Sequence, residues 1–302
     1  MELKHLATFL AVTRHLSFTR AAEELGYVQS SVTAQVKALE KELDVPLFDR
    51  LGRRVALTVA GQELRGHAQL LLGHAEQARE AVQGAHGDPR QVRGTLRIAA
   101  PESLCAYRLP PVLRALQDRF PLLRVVFGPA GRAELLSALG EGTLDAGFLL
   151  EEIVTGPMTI AERLSEEPLL LVANPGHRLA SRDKVHTEDL AGETLLLFEQ
   201  GCAHRDIIDR ELKRTAIHPS TMEFVSAEAL KRCAAAGLGV AMLPAITVAE
   251  ERQRGELVML PWTTEPVLGV YLVQHKDRCP TMALRDLAAL ARQESARADW
   301  SR

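Results

Sequence analysis

The chain has 302 residues, 46% of them hydrophobic and 25% charged, with a formal net charge of -3. That is enough apolar material for at least one complete core, and at roughly 100 to 200 residues per domain it predicts two or three folding units. The balance excludes a globally basic nucleic-acid binder, so any basic surface must be local, and no stretch approaches the ~20 apolar residues of a membrane span.

The N-terminus, Met1-Glu2-Leu3-Lys4-His5, interrupts its apolar residues with polar ones and so lacks a signal-peptide core; the expected location is the cytoplasm, with no membrane partner. Leu3, Leu6, Phe9 and Leu10 recur at helical spacing. Ser17 then stands as an N-cap before Phe18, Ala21, Ala22 and Leu25, a short amphipathic helix that Gly26 stops. After a tight link, Gln29-Ser30-Ser31 opens a third helix whose stripe is Val32, Val36, Leu39 and Leu43. Ser30, Ala34, Lys37 and Lys41 lie opposite that stripe with Gln29 and Thr33 on its flank, a small, polar and basic face that suits a major groove. Helix, short turn and second helix with hydrogen-bonding residues at its start is the helix-turn-helix order. Pro46-Leu47-Phe48 leads on to Arg50-Leu51-Gly52-Arg53-Arg54, where Gly52 turns a small hairpin and Arg50, Arg53 and Arg54 gather. This reads as a wing whose guanidinium groups meet phosphates or the minor groove, the bland alternative being solvated surface charges.

Phe18-Thr19-Arg20-Ala21-Ala22, Gln29-Ser30-Ser31-Val32-Thr33, Leu39-Glu40 and Pro46-Leu47-Phe48-Asp49-Arg50 resemble the LysR-type transcriptional regulators, from about residue 2 to Gly61. The resemblance implies that the DNA-binding residues are Thr19, Arg20, Gln29, Ser30, Ser31, Thr33, Ala34, Lys37, Arg50, Arg53 and Arg54. Two departures stand out. Ala34 occupies a position that is basic in many members, although an alanine can touch a thymine methyl. Asp44 replaces a common glycine, and aspartate is among the few side chains that tolerate a left-handed backbone.

Thr58 can cap a long helix in which Leu64, Ala68, Leu71, Ala75, Ala78 and Val82 alternate spacings of four and three, the seam of a two-stranded coiled coil. Residues 58–86 would extend roughly 40 Å as a dimerising linker; the alternative is a stripe packed on its own domain. His67 and His74 lack the i, i+4 spacing of helical zinc ligands and read as structural. Residues 87–93 form a hinge.

From Gly94 onward short apolar runs alternate with helical patterns: 95–99, a helix at 109–118, 123–127, a helix from Leu135, 145–150, 169–173, 195–198, 222–225, 240–243, then 257–260 and 268–273. The class is α/β with mostly parallel strands. The resemblance implies a periplasmic-binding-protein-like pair of lobes, about 94–165 with 266–302 and about 166–265, behind the all-α winged helix-turn-helix of 1–57. Ligands of open α/β sheets bind beyond the carboxyl ends of strands. That singles out Glu102, Ser103 and Leu104, then Gly131, then Gly201, Cys202 and His204, then Ser226, each segment at a helix start where backbone amides favour an anionic group. Ser103 resembles the family's effector-contacting position.

Cys105, Cys202, Cys233 and Cys279 are far apart and read as reduced thiols. Gly201-Cys202-Ala203-His204-Arg205 resembles a Gly-Cys-x-Tyr-Arg segment of one branch of the family, so a redox-responsive Cys202 with a lowered pKa is an alternative to a merely lining cysteine. Enzyme motifs are missing: no G-x-S-x-G, no phosphate-binding loop, no H-E-x-x-H, and Gly237-Leu238-Gly239 follows a helix where a dinucleotide fingerprint would follow a strand. No catalytic residue, cofactor or metal is expected. A solute-binding protein would account for the second part of the chain and leave the head unexplained. The implied partners are double-stranded promoter DNA, a small effector, further copies of the chain as a dimer or tetramer, and RNA polymerase as a candidate.

Overall fold

The computed structural model describes residues 1–51, 54–84, 88–278 and 280–297, a few of those in helices and strands by their backbone alone. The head is built from α1 (Leu3–His15), α2 (Phe18–Leu25) and α3 (Gln29–Leu43). Leu6, Phe9 and Val12, then Phe18, Ala21 and Ala22, then Val32, Val36 and Leu39 lie at helical spacing and meet in one core. Ser17 caps α2, its hydroxyl accepting from the Arg20 backbone N–H at 3.3 Å. At the end of α3, Asp44 takes the left-handed conformation with φ 52°. Glu40 fixes the exit: its Oε1 accepts from the backbone N–H groups of Leu47 at 2.8 Å and Phe48 at 3.4 Å. The wing follows as an antiparallel pair, β1 (Phe48–Leu51) and β2 (Arg54–Leu57). Phe48 holds it to the helices, with ring centroids 5.3 Å from Phe9 and 5.8 Å from Phe18.

The linker helix α4 (Val59–Gly84) starts from a cap at Thr58, whose hydroxyl accepts from the Gly61 N–H at 3.0 Å and donates to the Pro46 carbonyl at 2.7 Å. A Cβ on Gly61 would stand 2.2 Å from the Leu47 carbonyl oxygen, so only glycine lets the helix descend this closely on the wing. The first half of α4 packs on its own head. Ala68 is fully buried in the head's core, and Leu64 packs against that core with Ala60 and Leu72. Alternating spacings mark an apolar stripe without saying which surface covers it, and at Leu64 and Ala68 the head's own core is one such surface. Leu71, 40% exposed, and Ala78 remain uncovered and Ala75 half-buried, while the side chain of Val82 lies outside the described residues.

The first lobe runs β3 (Gly94–Ala100), α5 (Glu102–Tyr107), α6 (Leu109–Arg119), β4 (Leu123–Pro129), α7 (Arg132–Gly140) and β5 (Ala146–Glu151). Its strands are parallel in the order β4-β3-β5, with α6 and α7 burying their apolar sides in separate clusters. Strand β6 (Thr159–Ala173) then leads into the second lobe, made of β7 (Thr194–Phe198), α8 (Ala203–Thr215), β8 (Ser220–Phe224), α9 (Ala227–Ala235), β9 (Val240–Pro244), α10 (Ala249–Gln253) and β10 (Val258–Met259). Strand β11 (Val267–His275) returns to the first lobe, and α11 (Met282–Arg297) packs beside α6.

The sheet is continuous in the order β4-β3-β5-β11-β6-β9-β7-β8, with β10 beside β6. Strands β4-β3-β5 and β9-β7-β8 are parallel, as the alternation implies, but β11 runs antiparallel to β5 and β6, and β6 antiparallel to β9 and β10. The first part of β6 was not expected as a strand because Glu162, Arg163, Glu166 and Glu167 interrupt its apolar run. The turn at Gly237-Leu238-Gly239 ends α9, and a Cβ on Gly239 would lie 2.1 Å from the Thr194 carbonyl oxygen, where β9 swings in beside β7. Helix α4 rests on the first lobe through Arg65–Glu141 at 3.0 Å and His74 Nε2 to the Asp277 carbonyl at 2.9 Å. Among the described residues no helix is long and apolar enough to cross a membrane, and no group of side chains is arranged to hold a metal ion.

Candidate functional sites

On the head, Gln29, Ser30, Thr33, Ala34 and Lys37 line one shallow, open concavity on the side of α3 away from the core. Gln29, Ser30, Ala34 and Lys37 are exposed and Ser31 is half-buried, while Thr19 and Arg20 stand exposed at the start of α2. The Thr33 hydroxyl donates to the Gln29 carbonyl at 2.9 Å. Thr8 braces the helix from behind, its hydroxyl donating to Gln35 Oε1 at 2.6 Å. In the wing, Arg50 pairs across the strands with Val55 and Arg54 with Leu51; Arg53 and the side chains of Arg50 and Arg54 lie outside the described residues.

A cleft of about 310 Å³ opens between the lobes. It sits at the carboxyl ends of β3, β4 and β5 on one side and β7 and β8 on the other, the position that an open parallel sheet favours for ligands. Glu102, Ser103 and Gly131 of the first lobe face Gly201, Cys202 and His204 of the second across it. Leu104 is not in the wall. It is fully buried in the main core, because on α5 it points inward. Ser226 lies just behind the wall, where Val225 lines the cleft, and its hydroxyl caps α9 by accepting from the Ala229 N–H at 3.4 Å. Arg132, Phe198 and Glu151 were missed by the sequence reading. Glu151 was findable, since it follows directly on the expected strand 145–150.

The lobes are tied beside this cleft by the two ends of α5. Glu102 reaches across to the start of α9, its Oε2 accepting from the Ala227 N–H at 2.7 Å and its Oε1 lying 3.5 Å from Ser226 Oγ. The anion expected of a ligand at this helix start is therefore supplied by the chain itself. At the other end Lys231 Nζ donates to Tyr107 Oη at 2.7 Å and to Glu251 Oε1 at 2.9 Å, and pairs with Glu228 at 3.0 Å. Burial works against the Lys231 charge, but its bonds to Tyr107, Glu251 and Glu228 prevail and raise its pKa.

Inside the cleft, burial pushes the Glu151 carboxyl above its ordinary range; Arg132 at 3.3 Å opposes this, while Asp206 and Glu152 add to it. His204 is buried with its ring centroid 5.5 Å from that of Phe198, and neither ring nitrogen has a hydrogen-bond partner. Burial lowers its pKa to about 4, so it is neutral at pH 7. The Cys202 thiol is raised, first by burial and further by the charges of Asp206 and Glu151. The lowered thiol pKa that the redox alternative requires does not fit these surroundings: the His204 imidazole is uncharged, and the Arg205 guanidinium is taken up by Asp209 at 2.8 Å, Glu223 at 2.9 Å and the Phe198 carbonyl at 3.2 Å. A protonated thiol is a poor nucleophile toward an oxidant.

A winged helix-turn-helix head on a long helix, followed by two lobes around a cleft, defines a one-component regulator that joins a DNA-binding unit to a ligand-binding one. Residues 3–62 match the bacterial regulatory helix-turn-helix proteins of the lysR family, and residues 89–296 the LysR substrate binding domain. The HTH-type transcriptional regulator YwqM of Bacillus subtilis is 37% identical over 294 residues, covering 97% of this chain and 99% of that protein. YfiE of Escherichia coli, also described as an HTH-type transcriptional regulator, is 33% identical over 263 residues, 87% of each chain. The crystal structure of ArgP from Mycobacterium tuberculosis superimposes with a TM-score of 0.77 at 23% identity, covering 97% of this chain and 96% of that one, which shows the shared fold. The chain belongs to the LysR family of DNA-binding transcriptional regulators.

Proposed function

We propose that this regulator reads promoter DNA with the exposed face of α3, and that a small effector held in the interlobe cleft alters that binding. In this reading residues 1–57 form the DNA-binding unit, 58–86 the linker helix, 87–93 a hinge and 94–302 the effector domain, whose lobes divide at about 165–166 and 265–266. The chain acts in the cytoplasm as a homo-oligomer, a dimer or tetramer, joined along the uncovered part of α4, with RNA polymerase as a further partner and without a catalytic step. The observation that carries the reading is the single concavity formed by Gln29, Ser30, Thr33, Ala34 and Lys37 on the side of α3 opposite its core residues. One amide, two hydroxyls, one methyl and one ammonium on a helix face match the donors, acceptors, thymine methyls and phosphates of a major groove.

The test is capture of sheared genomic DNA by the full-length protein at moderate salt, followed by sequencing of the retained fragments. Enrichment of a few intergenic fragments sharing a two-fold motif is the expected result. Lys37→Ala should weaken binding to all of them alike and lower the salt slope by about one per bound head. Ser30→Ala should change the preferred base at one position of each half-site, with a loss of about 1–3 kcal/mol on the original motif. Uniform retention of all DNA, unaffected by either substitution, would refute the assignment of α3.

A further inference from the structure

The cleft's charge is opposite to what its helix starts alone would suggest. Glu102, Glu134, Glu151 and Glu199 line it, against the single guanidinium of Arg132 among the described residues. Arg132 is already paired with Glu151 at 3.3 Å, and the start of α9 is already filled by Glu102. Glu134 and Glu199, both exposed at the wall, are left facing the cleft with no cation opposite them among the described residues. Each helix start contributes only about half a positive charge, so the carboxylates still prevail.

A second, independent feature marks the same space. His204, 7% exposed, forms part of the wall with both ring nitrogens unbonded. Buried polar groups in folded proteins are nearly always paired, and an orphan at a ligand cleft is a partner waiting for one. A neutral imidazole has one nitrogen that accepts and one that donates. Beside it Glu151, 6% exposed, has the weak 3.3 Å contact with Arg132, longer than a well-formed charge-assisted bond. The remaining wall mixes Ser103, Gln200 and Cys202 with the apolar side chains of Leu149, Leu150 and Phe198.

We infer that the effector is a small organic cation, a molecule bearing at least one protonated amine, held by Glu151, Glu134 and Glu199 and hydrogen-bonded to His204. This rests on the cleft being the effector site. The ammonium N–H groups donate to the carboxylates and to the accepting imidazole nitrogen, and the body of the molecule lies on the apolar wall. A free carboxylic acid of the same size meets carboxylates and one guanidinium that is already engaged.

Matched triplets of probes test it: the proteinogenic amino acids, the amines obtained by removing their carboxyl group, and the acids obtained by removing their amino group. Binding is read by thermal shift and by calorimetry on the full-length protein. The expected result is that at least one amine-bearing probe binds while the acid of the same triplet does not. Glu151→Gln and His204→Phe should each weaken that binding tenfold or more, with unfolding of the unliganded variants checked separately. A cleft-filling Gly131→Trp, placed where a Cβ meets open space, should abolish it. Binding of acids alone, or amine binding unchanged in Glu151→Gln, overturns the inference. If acid binding is lost in Gly131→Trp, the cleft stands as the effector site and only its charge class falls; if no probe of either kind binds, the inference falls and the cleft assignment loses its support with it.

Discussion

His204 carries a charge state that can be weighed. Its pKa is lowered by burial from about 6.5 in the unfolded chain to about 4 in the folded one. Between those values the unfolded chain binds the proton and the folded chain does not, so stability is full above pH 6.5 and is lost as the pH falls toward 4. The size of the loss is about 3 kcal/mol. His204→Phe should therefore flatten the acid limb of a plot of melting temperature against pH over that interval; an unchanged limb would mean that other groups carry it. Residues whose partners are close in the chain were legible from residue order alone: Ser17 and Thr58 as caps, and Asp44 as a left-handed terminus. Glu102 was legible as a cleft residue but not as the cap of a helix start 125 residues away. Nothing in a local pattern records a partner at that distance.

At the level of elements, helix α4 shows what a hydrophobic repeat leaves open. Its early stripe is consumed by its own head, whereas Leu71 and Ala78 face outward. Leu71→Glu is expected to shift the oligomer toward a smaller species in light scattering while the head still melts cooperatively. Ala68→Leu should do the reverse, overpacking the head by about 1–3 kcal/mol and leaving the oligomer intact. Dissociation caused by Ala68→Leu alone would place the seam where the head now packs. Strand β6 was half-hidden for a related reason. Its second part, Leu169 to Ala173, reads as a buried apolar run, but its first part carries charges, most of them paired at the surface, such as Glu162 with Arg292 at 2.5 Å and Arg163 with Glu166 at 3.3 Å.

In the whole molecule, the passage between the lobes is locked by a buried ion pair. Arg108 donates to Glu167 Oε2 at 2.7 Å and to Ser165 Oγ at 2.6 Å, and the Ile246 N–H of the second lobe donates to Glu167 Oε1 at 3.0 Å. Arg108→Met leaves that carboxylate buried without its cation and should cost about 3–5 kcal/mol in urea unfolding. A loss below about 1 kcal/mol would show that the carboxyl simply takes up a proton, as burial already raises its pKa. The α/β class was legible as alternating strands and helices, and the two lobes only through the family resemblance; the continuity of the sheet through β6 and β11 was not legible, since pairing order is a long-range property. The seating of α4 on the first lobe at Arg65 and His74 has a mechanical meaning: head and helix share one core, and the lobe is where that arm rests. Over the ~22 Å of helix from His74 to Val59, a tilt of about nine degrees swings the head by ~3.4 Å, the rise of one base pair. A tilt of the lobe by that angle would thus carry the head one full step along DNA.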